Sequence, residues 1–228
     1  MARLKRVAPI GVPQHIVQRG NKRQVCFCDE HDMKAYLSWL MEFSVKHQVE
    51  NHAWVLMTNH VHLLCTSRQA MGVSKMMQSL GRVYVRYFNQ RYGRSGTLWG
   101  GRFKSCLVDS EDYLLEVYRY IELNPVRAAM VNCPAEYSWS SYQCNAMGKQ
   151  SALQTPHELY QRLGPTRELR QESYRELLKT LISQDLISDI RRCTNSGVAF
   201  AGEKFIREIE SLKLGRVSAR ASGRPRSV

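Results

Sequence analysis

Apolar positions along the chain change period in an orderly way. Residues 14–19 form a short run with strand character that closes on Gly20-Asn21, a turn signal. Asp29 can cap a helix reaching His47, on which Tyr36, Leu37, Leu40, Met41 and Phe43 make an apolar face. Residues 51–57 and 60–66 read as two strands about a tight Thr58-Asn59 turn, hence a hairpin. Helical spacing returns over 73–92 through Met76, Met77, Leu80, Val83, Tyr84, Tyr87 and Phe88, leaving Arg82, Arg86 and Arg91 for the outer side. The glycine-rich stretch 93–101 predicts a loop and 103–108 a strand. Ser110 then offers an N-cap for a helix reaching about Asn124, where Pro125 limits it.

The resulting order is strand, helix, strand, strand, helix, strand, helix. That split βαβ pattern predicts an α+β fold: a ferredoxin-like (RRM-like) antiparallel sheet with helices packed on one face. Composition turns small and polar over 145–156, the mark of a linker. Beyond it, Leu177, Leu178, Leu181, Leu186, Ile187 and Ile190, then Phe205, Ile206, Ile209 and Leu212, recur at helical spacing, which predicts a C-terminal helical extension. The expected division is a main domain over 1–148, a helical region over 156–212 and a basic, disordered tail over 213–228. Gly197, between two of the expected helices, gives a weak hint of a helix-turn-helix.

Charge narrows the partners. Lys and Arg total 33 against 20 acids, a formal net charge of +13 over 228 residues. Such a surplus points to polyanions without choosing between nucleic acid and lipid. No stretch approaches the ~18 apolar residues of a membrane span, and the basic N-terminus lacks a signal-peptide core. The seven cysteines are odd in number and scattered, with no CxxC pair, which excludes a secreted disulfide framework and argues against a structural zinc site. A cytoplasmic location follows, nucleoid-associated if DNA is the partner.

The chemistry concentrates in two short stretches. In Asn59-His60-Val61-His62, strand alternation sends both imidazoles to one face, roughly 7 Å apart, where they can share a divalent cation. A bare HxH is nonetheless common. In Tyr120-Ile121-Glu122-Leu123-Asn124-Pro125, Tyr120 and Asn124 lie one helical turn apart, a phenol beside an amide oxygen able to complete a metal site. Tyr113 and Tyr118 are rival nucleophiles, the latter with Glu122 one turn on.

With these residues the chain resembles the single-tyrosine HUH transposases, most closely the REP-associated tyrosine transposases. The resemblance rests on His60-Val61-His62, the Ile121-x-x-Asn124-Pro125 stretch after the tyrosine, the HIVQRGN run at 15–21 and the segments 51–66, 98–105 and 124–131. It covers roughly residues 10–145. It implies Tyr120 as nucleophile, His60, His62 and Asn124 as ligands of Mg²⁺ or Mn²⁺, and a 5′-phosphotyrosine intermediate in the cleavage and rejoining of single-stranded hairpin DNA. It leaves a monomer or a homodimer open. Arg19, Lys22 and Arg23 resemble the part of the family that grips the hairpin foot, and Asn21 is expected at the DNA with them. The acid-free interval 71–108 adds Arg94, Arg102 and Lys104 for phosphates and Trp99 as an exposed ring for base stacking, while Tyr84, Tyr87 and Phe88 suit the core. Two other functions compete. A non-catalytic nucleic-acid-binding protein on an RRM-like sheet would carry aromatics on its central strands, and a water-using phosphodiesterase would need carboxylate ligands near the histidines.

Overall fold

The computed structural model describes residues 6–218; Arg3, Lys5 and positions 219–228 of the expected tail lie outside the described residues. Strands β1 (Pro13–Arg19), β2 (Val49–Met57), β3 (His60–Ser67) and β4 (Lys104–Leu107) form one sheet in the order β2-β3-β1-β4. Every neighbouring pair is antiparallel, with His62 opposite Val17 and Val55. Helices α1 (Glu30–Lys46) and α2 (Gly72–Arg91) connect β1 to β2 and β3 to β4. After β4 come α3 (Ser110–Glu122), the short α4 (Asn124–Arg127), α5 (Tyr142–Asn145) and α6 (Glu158–Gln161), then α7 (Arg167–Lys179), α8 (Gln184–Ser196) and α9 (Glu203–Ser211). This is the expected α+β, ferredoxin-like arrangement.

The helices do not keep to one face. Ile16, Trp54, Leu56, Val61 and Leu63 project to one side and join Leu40, Met76, Tyr84 and Phe88 of α1 and α2. Ala53, Val55, Met57 and Leu64 project to the other and meet Leu114, Val117 and Ile121 of α3, together with α7 and α8 residues such as Tyr174 and Ile190. A strand apolar on both faces must be covered on both; the near-continuous apolar run 53–57 already carried that signal.

Local chemistry sets the helix ends. Asp29 accepts from the Asp32 backbone N–H at 3.1 Å, and Asp32 accepts in return from the Cys28 N–H at 2.8 Å, a reciprocal cap for α1. At α3 the cap is Asp109, one residue before the expected Ser110; it accepts from the Glu111 N–H at 3.2 Å. Pro125 does not end the helical path, because it sits in the first turn of α4, where its missing N–H has no partner to lose.

The C-terminal helices are tied to the sheet. Glu122, fully buried at the end of α3, accepts from Ser141 Oγ (2.5 Å), Asn145 Nδ2 (2.7 Å) and the Tyr174 hydroxyl (2.8 Å). Burial pushes its carboxyl up to about 7 against the pull of those three donors. The polar stretch 145–156 runs along the edge of β2, with Gln154 bridged to Asn51 and the Thr155 N–H donating to Asn51 O. Gly197, at φ 75°, closes α8; Phe200 then bridges Val108 beside β4, so α8 and α9 are not joined by the tight turn of a helix-turn-helix. Among the described residues no helix is long and apolar enough to cross a membrane.

Candidate active site

On the α3 face of the sheet, a cavity of about 550 Å³ opens between β1, β3, α3, α4 and α8. Strand alternation places His60 and His62 in its floor, as the HxH spacing predicts, while Val61 and Leu63 enter the opposite core. The two imidazole centroids are 5.0 Å apart. His60 Nδ1 lies 2.6 Å from Asn59 Oδ1, and His62 Nδ1 lies 2.9 Å from Nε2 of His15 on β1. Each ring therefore has its Nδ1 engaged and its Nε2 left over. Burial pushes His60 down to about 4 and His62 well below its ordinary value, and in both cases nearby positive charge adds to the effect. Both are neutral near pH 7, the form that ligates metals.

Tyr120 closes the cavity from α3. Its ring meets His15 and His62 edge-on, at 5.7 and 5.6 Å between centroids. The Arg127 guanidinium lies 4.4 Å from its ring centre. One turn on, the Asn124 amide donates through Nδ2 to the carbonyls of Tyr120 (3.0 Å) and Ile121 (3.3 Å), which leaves Oδ1 as its uncommitted atom. The rival tyrosines lie elsewhere. Tyr118 is fully buried against Tyr160 and Tyr174, and Tyr113 packs on Phe200. Tyr120, His60, His62 and Asn124 all line this one cavity.

The donor set fits a divalent cation. No cluster of three His, Cys, Asp or Glu side chains suited to a metal occurs among the described residues, so a cation here would add the Asn124 amide oxygen to two neutral imidazoles. Three neutral donors leave positions for water and phosphate oxygens, the requirement of a catalytic rather than a structural site. Burial leaves the imidazoles uncharged, so no proton must be displaced for them to ligate.

The cavity wall is basic. Arg19, Arg23 and Lys104, expected at the DNA, line it, joined by Arg127 of α4 and Arg191 of α8. None of its described lining residues is acidic. Lys22 and Arg23 adopt left-handed φ of 49° and 63°, a conformation costly for non-glycine residues that is often held at functional loops. The other expected contacts lie off the cavity. Asn21 and Lys22 sit in the loop after β1, Arg102 is exposed, and Arg94 is tethered to Gln24 Oε1 at 2.7 Å. Trp99 corrects the expectation of an exposed stacking ring. It is only 5% exposed and packs on Tyr36 and Tyr84, because the glycine-rich loop folds back over the α1–α2 core.

Sequence reasoning missed His15, Arg127, Arg191, Thr194 and Asn195. Arg127 follows Tyr120 at helical spacing and could have been found that way. The α8 residues carry no local signal.

Comparison with known proteins bears on the family and the fold. The profile of the IS200-like transposases matches residues 11–124, half of the chain. The chain belongs to that family. A REP-associated tyrosine transposase solved in complex with a REP hairpin superposes with a TM-score of 0.56 at 16% identity, covering 69% of this chain and 93% of that one. At that identity the likeness bears on the fold. A protein from Deinococcus radiodurans described as a transposase, at 20% identity over 53% of this chain and 96% of its own, has a TM-score of 0.38, too low to argue from. No curated protein sequence is significantly similar.

Proposed function

We propose that this transposase cleaves and rejoins single-stranded DNA at hairpin-forming palindromes, with Tyr120 as its nucleophile. The observation that carries the reading is the convergence of Tyr120, His60, His62 and Asn124 on one basic, acid-free cavity. A scissile phosphate entering it meets Arg19, Arg23, Lys104, Arg127 and Arg191, whose charge offsets the repulsion between phosphate and nucleophile. Tyr120 Oη attacks phosphorus; the Oη–P bond forms as the P–O3′ bond breaks. The phenol loses its proton to solvent and the departing 3′ oxygen gains one. His60, His62 and Asn124 would hold Mg²⁺ or Mn²⁺, which supplies polarisation of a non-bridging oxygen. The 5′-phosphotyrosine conserves the phosphodiester linkage, so the 3′-hydroxyl of another strand can reverse the step and join there.

Hairpin DNA is the proposed substrate because the fold neighbour was solved with a REP hairpin. An RRM-like binding module is disfavoured: such a protein needs an open sheet face, and both faces here are covered. A water-using phosphodiesterase would want carboxylate ligands, and none lines the cavity among the described residues.

The test uses 3′-labelled single-stranded hairpins from palindromes flanking the gene, with Mn²⁺ or EDTA, and wild-type or Tyr120→Phe protein. A denaturation-resistant labelled adduct that needs both the metal and Tyr120 is expected. Tight hairpin binding with no adduct across several hairpins and metals would overturn the reading in favour of a binding module.

A further inference from the structure

Taking His62 as a metal ligand, as proposed above, we propose that Thr194 of α8, acting through His15, is a positioning residue that fixes the tautomer of His62 and keeps its Nε2 bare for the cation. The argument is a count of protons along a buried chain of contacts. Thr194 Oγ1 donates to the Ile190 carbonyl at 2.8 Å, the common i−4 bond of a helical threonine, and this uses its only proton. Towards His15 Nδ1, also 2.8 Å away, Thr194 can then only accept, so His15 carries its hydrogen on Nδ1. With that ring neutral, His15 Nε2 is a lone pair. It lies 2.9 Å from His62 Nδ1, which must therefore be the donor. A neutral imidazole protonated at Nδ1 has a bare Nε2, the atom a metal requires.

The surroundings hold this order. Cys106 Sγ, 3.3 Å from Thr194 Oγ1, can give its S–H to the hydroxyl's remaining lone pair. The His15 and His62 rings lie edge to edge in nearly one plane, 10° from parallel with centroids 5.2 Å apart, the alignment an in-plane ring-to-ring hydrogen bond needs. His15, His62 and Thr194 are exposed by only 1%, 3% and 4%, so water does not compete for the chain. Reversing the first bond, with Thr194 donating to His15, would reverse each later one and put a hydrogen on His62 Nε2. His60 is held differently, by Asn59 of its own hairpin. The consequence is that helix α8, beyond the residues 11–124 matched by the family profile, takes part in preparing the site.

The test reads ring nitrogens in metal-free protein by long-range ¹⁵N–¹H NMR, and Mn²⁺ affinity by calorimetry. Wild-type His62 is expected as the Nδ1–H tautomer. Thr194→Val removes the acceptor while keeping the shape, and should give a mixture of tautomers and an Mn²⁺ dissociation constant raised about tenfold or more. Thr194→Ser should restore both. An Nε2–H tautomer at wild-type His62 overturns the proposal even if no variant folds, as does a Thr194→Val protein with both readouts unchanged. Wild-type protein that shows the Nδ1–H tautomer but takes up no Mn²⁺ would remove the metal reading and leave the relay established.

Discussion

Arg127 holds a position that its contacts within the protein alone do not explain. Its guanidinium lies over the Tyr120 ring and Nη2 donates to the Tyr120 carbonyl at 2.8 Å, yet Nε and Nη1 are buried with no hydrogen-bond partner among the described residues. Burial pushes the group down to about 10, still cationic at neutral pH. An unpaired buried donor costs about 1–3 kcal/mol, and a phosphate oxygen is the acceptor this acid-free cavity would admit. Arg127→Ala should therefore slow single-turnover hairpin cleavage by roughly 10²–10³-fold while weakening hairpin binding less than about tenfold. Lysine should not restore the rate, since it presents a point charge instead of a planar fork. Equal losses in binding and cleavage would reduce Arg127 to a grip on the DNA. At this scale the sequence was informative where spacing alone decides geometry: two along a strand for His60 and His62, four along a helix for Tyr120 and Asn124. It was silent on Thr194, whose role depends on where α8 lands.

At the scale of elements, Asp32 decides how α1 meets α2. Its carboxylate is fully buried and takes the Cys28 N–H at 2.8 Å, the hydroxyls of Tyr87 (3.0 Å) and Tyr92 (2.8 Å) and Arg91 Nη1 (3.3 Å). Asp32→Ala would strand two phenols, a backbone N–H and a partly buried guanidinium. We expect a loss of about 3 kcal/mol or more in urea unfolding, against about 1 kcal/mol for removing the neighbouring cap by Asp29→Ala. A loss at Asp32 no larger than at Asp29 would refute this. Element order was readable because period and turn chemistry are local: α1 runs between the expected cap Asp29 and His47, and the hairpin turns at Thr58-Asn59. Burial of Trp99 was not, since a ring beside glycines reads as exposed until the loop's return to the α1–α2 core is known. The apolar run 53–57 signalled that both sheet faces are covered, but which helices form the second layer was not readable, because it depends on contacts between elements far apart in sequence.

For the molecule as a whole, the join between the sheet and the C-terminal helices carries a pH dependence. His52 sits 1% exposed on β2. It donates from Nδ1 to the Thr155 carbonyl at 2.8 Å and accepts at Nε2 from Thr66 Oγ1 at 2.8 Å. Burial pushes it from 6.5 down to about 4; the charges around it are His157, edge-on at 5.0 Å, and the Glu50–Arg68 pair. A histidine with a depressed folded value stabilises the fold above its unfolded value of 6.5, and that stability is lost as pH falls through about 4. The gap corresponds to about 3 kcal/mol at most. His15, His60 and His62 act in the same sense. Glu122 acts in the opposite one, its contribution being present below 4.5 and lost as pH rises through about 7. The wild-type profile is thus a composite, and only a difference isolates His52. His52→Asn keeps a donor for Thr155 and cannot be protonated. Its stability deficit relative to wild type, measured by urea unfolding, should be largest near about pH 8 and shrink by up to about 3 kcal/mol towards about pH 4. A deficit that stays constant across that range would mean that His52 takes up its proton equally in folded and unfolded chains, and that the acid sensitivity of the fold lies with the histidines of the cavity.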